Sequence, residues 1–267
     1  MTDSVKATRR GALGTMAAGA MIAATGLPAA AQGARKTFVL VHGAWHGGWC
    51  WRRVSELLEQ KGQKVYAPTL TGLGASSHLL SKDINVSTHI KDVGNLITWE
   101  DLSGIVLVGH SYGGMVISGV AEQLAGRIAS IVFLDAFVPA NGDSVVGTAS
   151  PAFKDIIAAA IQRGDAALKP PPAAVFGVAE ADRAWVEGKC TPQPIATYSE
   201  PAVYTGGRDK IAKKTYIRAT GYKSPAFDAV LAKLKADGSW KTHEMTAGHD
   251  AMVIQPKELA ELLLQAV

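Results

Sequence analysis

Ile105-Val106-Leu107-Val108-Gly109-His110-Ser111-Tyr112-Gly113-Gly114-Met115-Val116-Ile117-Ser118-Gly119 is the stretch whose reading decides the fold. An apolar β-prone run enters a G-x-S-x-G pentapeptide, and a run of small and apolar residues with helical spacing leaves it. The pentapeptide alone is common by chance. A buried strand before it and a helix after it make it a nucleophile elbow, a turn that holds a serine hydroxyl up at the end of a sheet. Such a turn needs an unusual backbone at the serine and lets neighbouring chain pass close by, which is why glycines flank it. Ser111 is therefore the candidate nucleophile.

Working outward, strands alternate with helices. Strands are expected at 37–41, 64–68, 105–108, 128–134, 215–218 and 241–245. Helices are expected over about 51–60 and 87–99, after the elbow, and opening at Ser224-Pro225 and at Pro256. This alternation predicts an α/β chain with a mostly parallel sheet and helices on both faces. Between Pro139 and Gly207 the pattern gives way to Ala-rich amphipathic pieces, the run Pro170-Pro171-Pro172 and a loop from Cys190 to Pro201. That stretch reads as a helical cap, 139–207, inserted into a core made of 32–138 and 208–267.

Of 267 residues 48% are hydrophobic, enough for a sizeable core in one domain. The net charge is +4. Residues 1–31 hold Lys6, Arg9, Arg10 and Asp3, so their removal leaves +2, and the remaining Lys and Arg are scattered. No nucleic-acid footprint results. Arg9-Arg10, an apolar Ala/Gly-rich run to Leu27 and the small-residue site Ala29-Ala30-Ala31 read as a cleaved export signal of the twin-arginine type, which delivers the protein to the periplasm or medium. The apolar run is too short for a stable membrane anchor. The two cysteines, Cys50 and Cys190, read as buried free thiols, because a chain of this size needs no staple and one folded before export first meets a reducing cytosol. No residue spacing calls for a metal or cofactor, and none is expected. A homodimer is compatible with the sequence.

A serine nucleophile needs a base and a group that fixes the base's tautomer. Among seven histidines, His249 alone lies in a loop after the last strand and before the last helix. Sites in open α/β sheets assemble at such carboxyl ends, and the order serine, acid, histidine then follows along the chain. His110 is expected to point away into the sheet, and His78 is the loop histidine expected nearest the pocket. Asp135 directly follows Ile131-Val132-Phe133-Leu134. A carboxylate at the end of a buried strand is costly unless paired, and an imidazole N–H is a natural partner. Asp228, inside a helix, and Asp250, read as a surface or loop-bracing residue, remain the alternative acids.

His42-Gly43-Ala44-Trp45-His46-Gly47-Gly48-Trp49, Gly109-His110-Ser111-Tyr112-Gly113-Gly114 and Gly248-His249 together resemble the α/β-hydrolase superfamily. The resemblance is specifically to the branch with plant methyl-salicylate-type esterases and hydroxynitrile lyases, and it covers Thr37 to the C-terminus. It implies an oxyanion hole made by the backbone N–H groups of Ala44 and Tyr112. It also implies cleavage of a small apolar ester through a Ser-His-Asp triad and an acyl-enzyme. Hydroxynitrile lyase, lactone or C–C hydrolase chemistry and a low-turnover ligand-binding role are the rival readings. The chain departs from the plant pattern at the acid, because the loop 219–224 holds no carboxylate, and after His249, where hydroxynitrile lyases carry lysine and this chain carries Asp250. Trp45, Phe137, Val138, Phe153, Trp185 and Tyr198 are expected to line the substrate pocket.

Overall fold

The structure is a computed structural model that describes Met1 and residues 35–267. Apart from Met1, the expected export segment lies outside the described residues. Strand β1 (Thr37–Val41) leads through a short 3-10 turn into α1 (Arg52–Gln60), followed by β2 (Lys64–Tyr66) and α2 (Val86–Trp99). The elbow joins β3 (Ile105–His110) to α3 (Gly113–Leu124), and β4 (Ile128–Leu134) comes next. The following stretch carries α4 (Val145–Thr148), α5 (Pro151–Gln162), β5 (Ala167–Leu168), α6 (Glu180–Glu187) and β6 (Gln193–Pro194), with β5 and β6 pairing antiparallel. The chain then returns to the sheet with β7 (Lys213–Ala219), α7 (Pro225–Ala236), β8 (Trp240–Met245), α8 (Ala251–Ile254) and α9 (Pro256–Gln265).

Six strands form one parallel sheet in the order β2-β1-β3-β4-β7-β8. All of β3 is buried, as a central strand covered on both faces must be. Alternate residues divide between two cores. Val39, Val41, Ile105 and Leu107 join Val93, Ile97, Val116 and Ile117 of α2 and α3. Phe38, Leu40, Val106 and Val108 join Val54 and Leu58 of α1 with Leu259 and Leu263 of α9. The period-two alternation of a strand thus puts helices on both faces.

Local chemistry fixes the helix starts. Asn85 and Thr88 form a reciprocal capping box on α2, Ser224 caps α7 with Pro225 in its first turn, and Pro256 opens α9. Because all six strands run parallel, the segments after β1, β3, β4, β7 and β8 emerge at one edge, and the candidate residues lie in those segments. Cys50 and Cys190 are both unpaired; Cys50 is buried, as expected, while Cys190 is half-buried.

Candidate active site

The turn after β3 holds Ser111 at φ 52°, a left-handed conformation rare outside glycine. Neighbours hold it there. Ser111 N–H donates to Leu134 O (3.1 Å), while Ser111 O accepts from Gly114 (3.0 Å) and Phe137 (3.2 Å). The glycines permit close passage: a Cβ on Gly43 would lie 2.9 Å from the Ser111 Cβ, and one on Gly114 would lie 2.0 Å from Phe137 O. Asp135 (φ 42°) and Trp45 (φ 65°) share the left-handed conformation, so three of the four such non-glycine residues among those described sit in the turns that form this site.

Asp135 is fully buried, and its Oδ2 lies 2.6 Å from His249 Nδ1. Its Oδ1 accepts from Arg218 Nη1 (2.6 Å) and from the backbone N–H of Ala219 (3.2 Å). Arg218, at the end of β7, is itself buried and also donates through Nε to Asp228 (2.9 Å). Burial alone lowers the pKa of this guanidinium, but Asp135 and Asp228 outweigh it and raise the net value. A permanent cation thus faces Asp135 from one side and an imidazole from the other. Asp228 is engaged with Arg218 and Asp250 with His46, so of the three candidate acids Asp135 is the one bonded to His249. Arg218 is absent from the candidate residues of the sequence; the signal available was a charge near the end of a strand, between Ile217 and Ala219.

The His249 ring is enclosed by Tyr222, stacked at 4.5 Å, and by His110 at 4.5 Å, with Phe227 at 5.8 Å and Phe176 at 6.1 Å. With Nδ1–H donating to a carboxylate, Nε2 is the ring nitrogen left to take a proton. His110 is buried but does not turn away from the site: its Nε2–H donates to the carbonyl of His249 (3.0 Å). Burial holds its pKa well below 6.5, with His249 and His46 adding to the effect, so it is a neutral donor that braces the His249 loop. His78 is exposed on a 3-10 turn, away from this group.

Neither the backbone N–H of Ala44 nor that of Tyr112 meets an acceptor among the described residues. The peptide between Ala44 and Trp45 is held on both sides. Ala44 O accepts from His46 Nδ1 (2.7 Å), and Trp45 N–H donates to Gln193 Oε1 (3.0 Å) on β6. Trp45 Nε1 donates to Leu168 O on β5 (3.0 Å), which ties this loop to the antiparallel β5–β6 pair. Asp250, expected at the surface or bracing a loop, is fully buried and does the second, bonding His46 Nε2 (3.0 Å).

Of the expected pocket residues, Trp45, Phe153 and Tyr198 meet one another with ring centroids 5.6 to 6.5 Å apart. Phe137 sits edge-on to Phe227, which in turn stacks on His249, and Val138 follows it along the wall of a cavity of about 570 Å³ between α3 and α7. Neither Ser111 nor His249 lines that cavity. Trp185 does not join the group. It stands against Trp49 (5.1 Å) and the Arg53 guanidinium (5.4 Å), where α6 buries Val186 in the core shared with α1 and Asp182 pairs with Arg53 (2.6 Å). Phe176, which the sequence reading passed over, fills the space between Trp45 and His249.

Residues 38–262 match the model of the alpha/beta hydrolase family. The chain belongs to that family. It is 41% identical over 235 residues to the carbendazim hydrolyzing esterase of Nocardioides sp., covering 85% of this chain and 97% of that protein. It is 37% identical over 106 residues to methyl jasmonate esterase 1 of Vitis vinifera, a match to 40% of the grape protein. Among solved structures, an extracellular alpha/beta-hydrolase from a Paenibacillus species, described as sharing structural and functional homology with tobacco salicylic acid binding protein 2, superposes with a TM-score of 0.75. That match has 26% identity and covers 86% of this chain and 98% of the other. The chain is therefore an α/β-hydrolase fold similar to the methylesterase branch.

Proposed function

We propose that the protein is a serine esterase that cleaves a small apolar carboxylic ester through Ser111, His249 and Asp135. The observation that carries this reading is the 2.6 Å Asp135–His249 hydrogen bond at the sheet edge where Ser111 is held in a strained turn. His249 Nε2 takes the Ser111 proton as Oγ attacks the ester carbonyl, and Asp135 stabilises the resulting imidazolium. Negative charge moves onto the carbonyl oxygen, where the N–H groups of Ala44 and Tyr112 are free to donate, each worth about 3 kcal/mol of barrier. The imidazolium then protonates the leaving alcohol. Water, deprotonated by the same nitrogen, releases the acid from the acyl-enzyme. The similarity to esterases supports the reaction class, and the aromatic group Trp45, Phe153, Phe176 and Tyr198 supports an apolar substrate.

The test is a panel of p-nitrophenyl esters, methyl esters, lactones and carbendazim, run with wild-type enzyme and Ser111→Ala, alongside labelling by an alkyl fluorophosphonate. Turnover of at least one ester class, label on Ser111, and loss of both in the variant are expected. Turnover that survives in Ser111→Ala removes the serine from the mechanism. A cyanohydrin cleavage assay tests the lyase alternative, for which the Lys-to-Asp250 departure predicts no activity. The export signal is likewise proposed: N-terminal sequencing of protein from the periplasm or medium is expected to start near Gln32, and uncleaved cytoplasmic protein alone contradicts it.

A further inference from the structure

His46 and Asp250 form a second buried His–carboxylate pair, and the catalytic scheme above leaves it without a task. Both side chains are essentially inaccessible, and their contact spans 204 positions of sequence. Asp250 directly follows the proposed base His249, and its backbone N–H bonds Phe176 O (3.3 Å), the residue whose ring contacts both His249 and His46. His46 follows the Ala44–Trp45 peptide, and its Nδ1–H donates to Ala44 O at 2.7 Å. One imidazole therefore joins the loop that offers the Ala44 N–H to the loop that carries the base.

We propose that His46, held by Asp250, is a positioning residue that anchors the Ala44 carbonyl and so holds the residue-44 turn in the conformation in which the Ala44 N–H meets the oxyanion in register with His249. The proposal rests on the esterase reading. The geometry makes the linkage specific. Trp45 is left-handed at φ 65°, a conformation that relaxes unless its neighbours hold it. Gln193 holds the N–H side of the 44–45 peptide, and His46 holds the carbonyl side. The Ala44 N–H belongs to the preceding 43–44 peptide and is joined to this one through the Ala44 Cα, so releasing the carbonyl lets Trp45 relax and the loop turn about that Cα, which shifts the Ala44 N–H away from the reacting oxygen.

The groups around His46 agree with a charged donor. Burial pulls its pKa down, but the Asp250 charge and hydrogen bond pull it up further, with Cys190 Sγ at 3.9 Å adding in the same direction. The remaining neighbours are the Trp49 ring, stacked at 5.3 Å, Phe176 at 5.5 Å and neutral His110 at 6.4 Å. The net result lies well above 6.5, so the pair is ionic at neutral pH and the bond to Ala44 O is charge-assisted.

Two amide replacements separate positioning from plain stability. His46→Asn places an amide N–H near Nδ1, keeping the donor to Ala44 and losing Asp250. His46→Gln places it near Nε2, keeping Asp250 and losing Ala44. The expected results cross: His46→Gln lowers kcat about 30-fold with KM nearly unchanged, whereas His46→Asn lowers Tm more than it lowers kcat. Asp250→Asn preserves the shape but leaves a neutral donor, and costs kcat a few-fold. Affinity for an alkyl trifluoromethyl ketone, which Ser111 converts to an oxyanion-bearing hemiketal, should fall in step with kcat, while inhibition by the product acid stays level. Folded His46→Gln and Asp250→Asn enzymes with wild-type kcat and ketone affinity overturn the proposal, and Asp250→Asn alone decides it if both His46 variants fail to fold. Imidazole 15N signals of His46 that change from doubly to singly protonated in Asp250→Asn establish the pairing without any activity. Failure of the esterase reading shows separately, as an inactive wild-type enzyme.

Discussion

Asp135 is a fully buried carboxylate with an imidazole on one oxygen and a guanidinium on the other. The two partners have different jobs, and variants should separate them. Asp135→Asn keeps the side-chain shape but favours the wrong His249 tautomer, so kcat should drop by up to about 10⁴-fold. Arg218→Leu leaves Asp135 buried with its cation gone, so it should cost about 3–5 kcal/mol of stability, read as a large fall in Tm. Asp228→Asn touches Arg218 from the exposed side and should do far less on both readouts. A folded Asp135→Asn enzyme with near-normal kcat removes this residue from the mechanism. Ser111→Ala, which leaves the glycine-set turn alone, should cost more than about a thousandfold in kcat with Tm preserved. The places of Ser111, Asp135 and His249 in the fold were legible because Ser111 and Asp135 directly follow β3 and β4 and His249 lies in the loop after β8, where one-dimensional pattern fixes three-dimensional place. Arg218, Phe176 and the His46–Asp250 pair were not. Their meaning lies in side-chain contacts across dozens to hundreds of positions, which no periodicity records.

At the scale of elements, the decisive contacts are backbone against backbone. Helix α3 packs on the turn after β4 so closely that the Gly114 Cα faces Phe137 O with no room for a methyl group. That turn begins with Asp135. Gly114→Ala must therefore push it away, and the expected cost is about 1–3 kcal/mol of stability from overpacking, together with a fall in kcat as the acid shifts against His249. Thermal melts and kinetics on the purified variant check both halves; wild-type values for both mean that the turn yields without consequence. The strands and helices of the core were readable to within a few residues because burial on two faces makes continuous apolar runs in β1, β3 and β4 and because Ser224 and Pro256 punctuate the helix starts. The stretch between β4 and β7 was readable only as a break in pattern. Its two-residue strands β5 and β6 are too short for a period, and Trp185 was misplaced because α6 buries Val186 in the core that α1 shares, which sets Trp185 beside Trp49 and Arg53.

Across the whole molecule, buried histidines set the response to acid. His42, His89 and His110 are buried and hydrogen-bonded as neutral rings: His42 donates to Gly43 O and accepts from Leu70 N–H, while His89 bonds Tyr112 Oη and Thr71 O. Burial lowers all three pKa values, to about 3 for His42. Each ring binds a proton more readily when unfolded, so stability is whole above pH 6.5 and drains as pH falls towards the folded values. Each fully lowered group contributes about 1.4 kcal/mol per pH unit in that window, so His42 and His110 together give roughly 3, and His89 adds to them. His46 works in the opposite sense: its raised pKa gives stability that is complete below 6.5 and lost as pH rises through the folded value, so it does not oppose the loss in acid. Against a typical total of about 5–15 kcal/mol, the protein should unfold between roughly pH 5 and 4, before most carboxylates titrate. Urea denaturation at pH 7, 6 and 5 measures the slope directly. A midpoint and extrapolated stability that stay level from pH 7 to 5 require these rings to be protonated in the folded state, and the reading of all three as neutral fails with them, together with the bond that His42 accepts from Leu70 N–H.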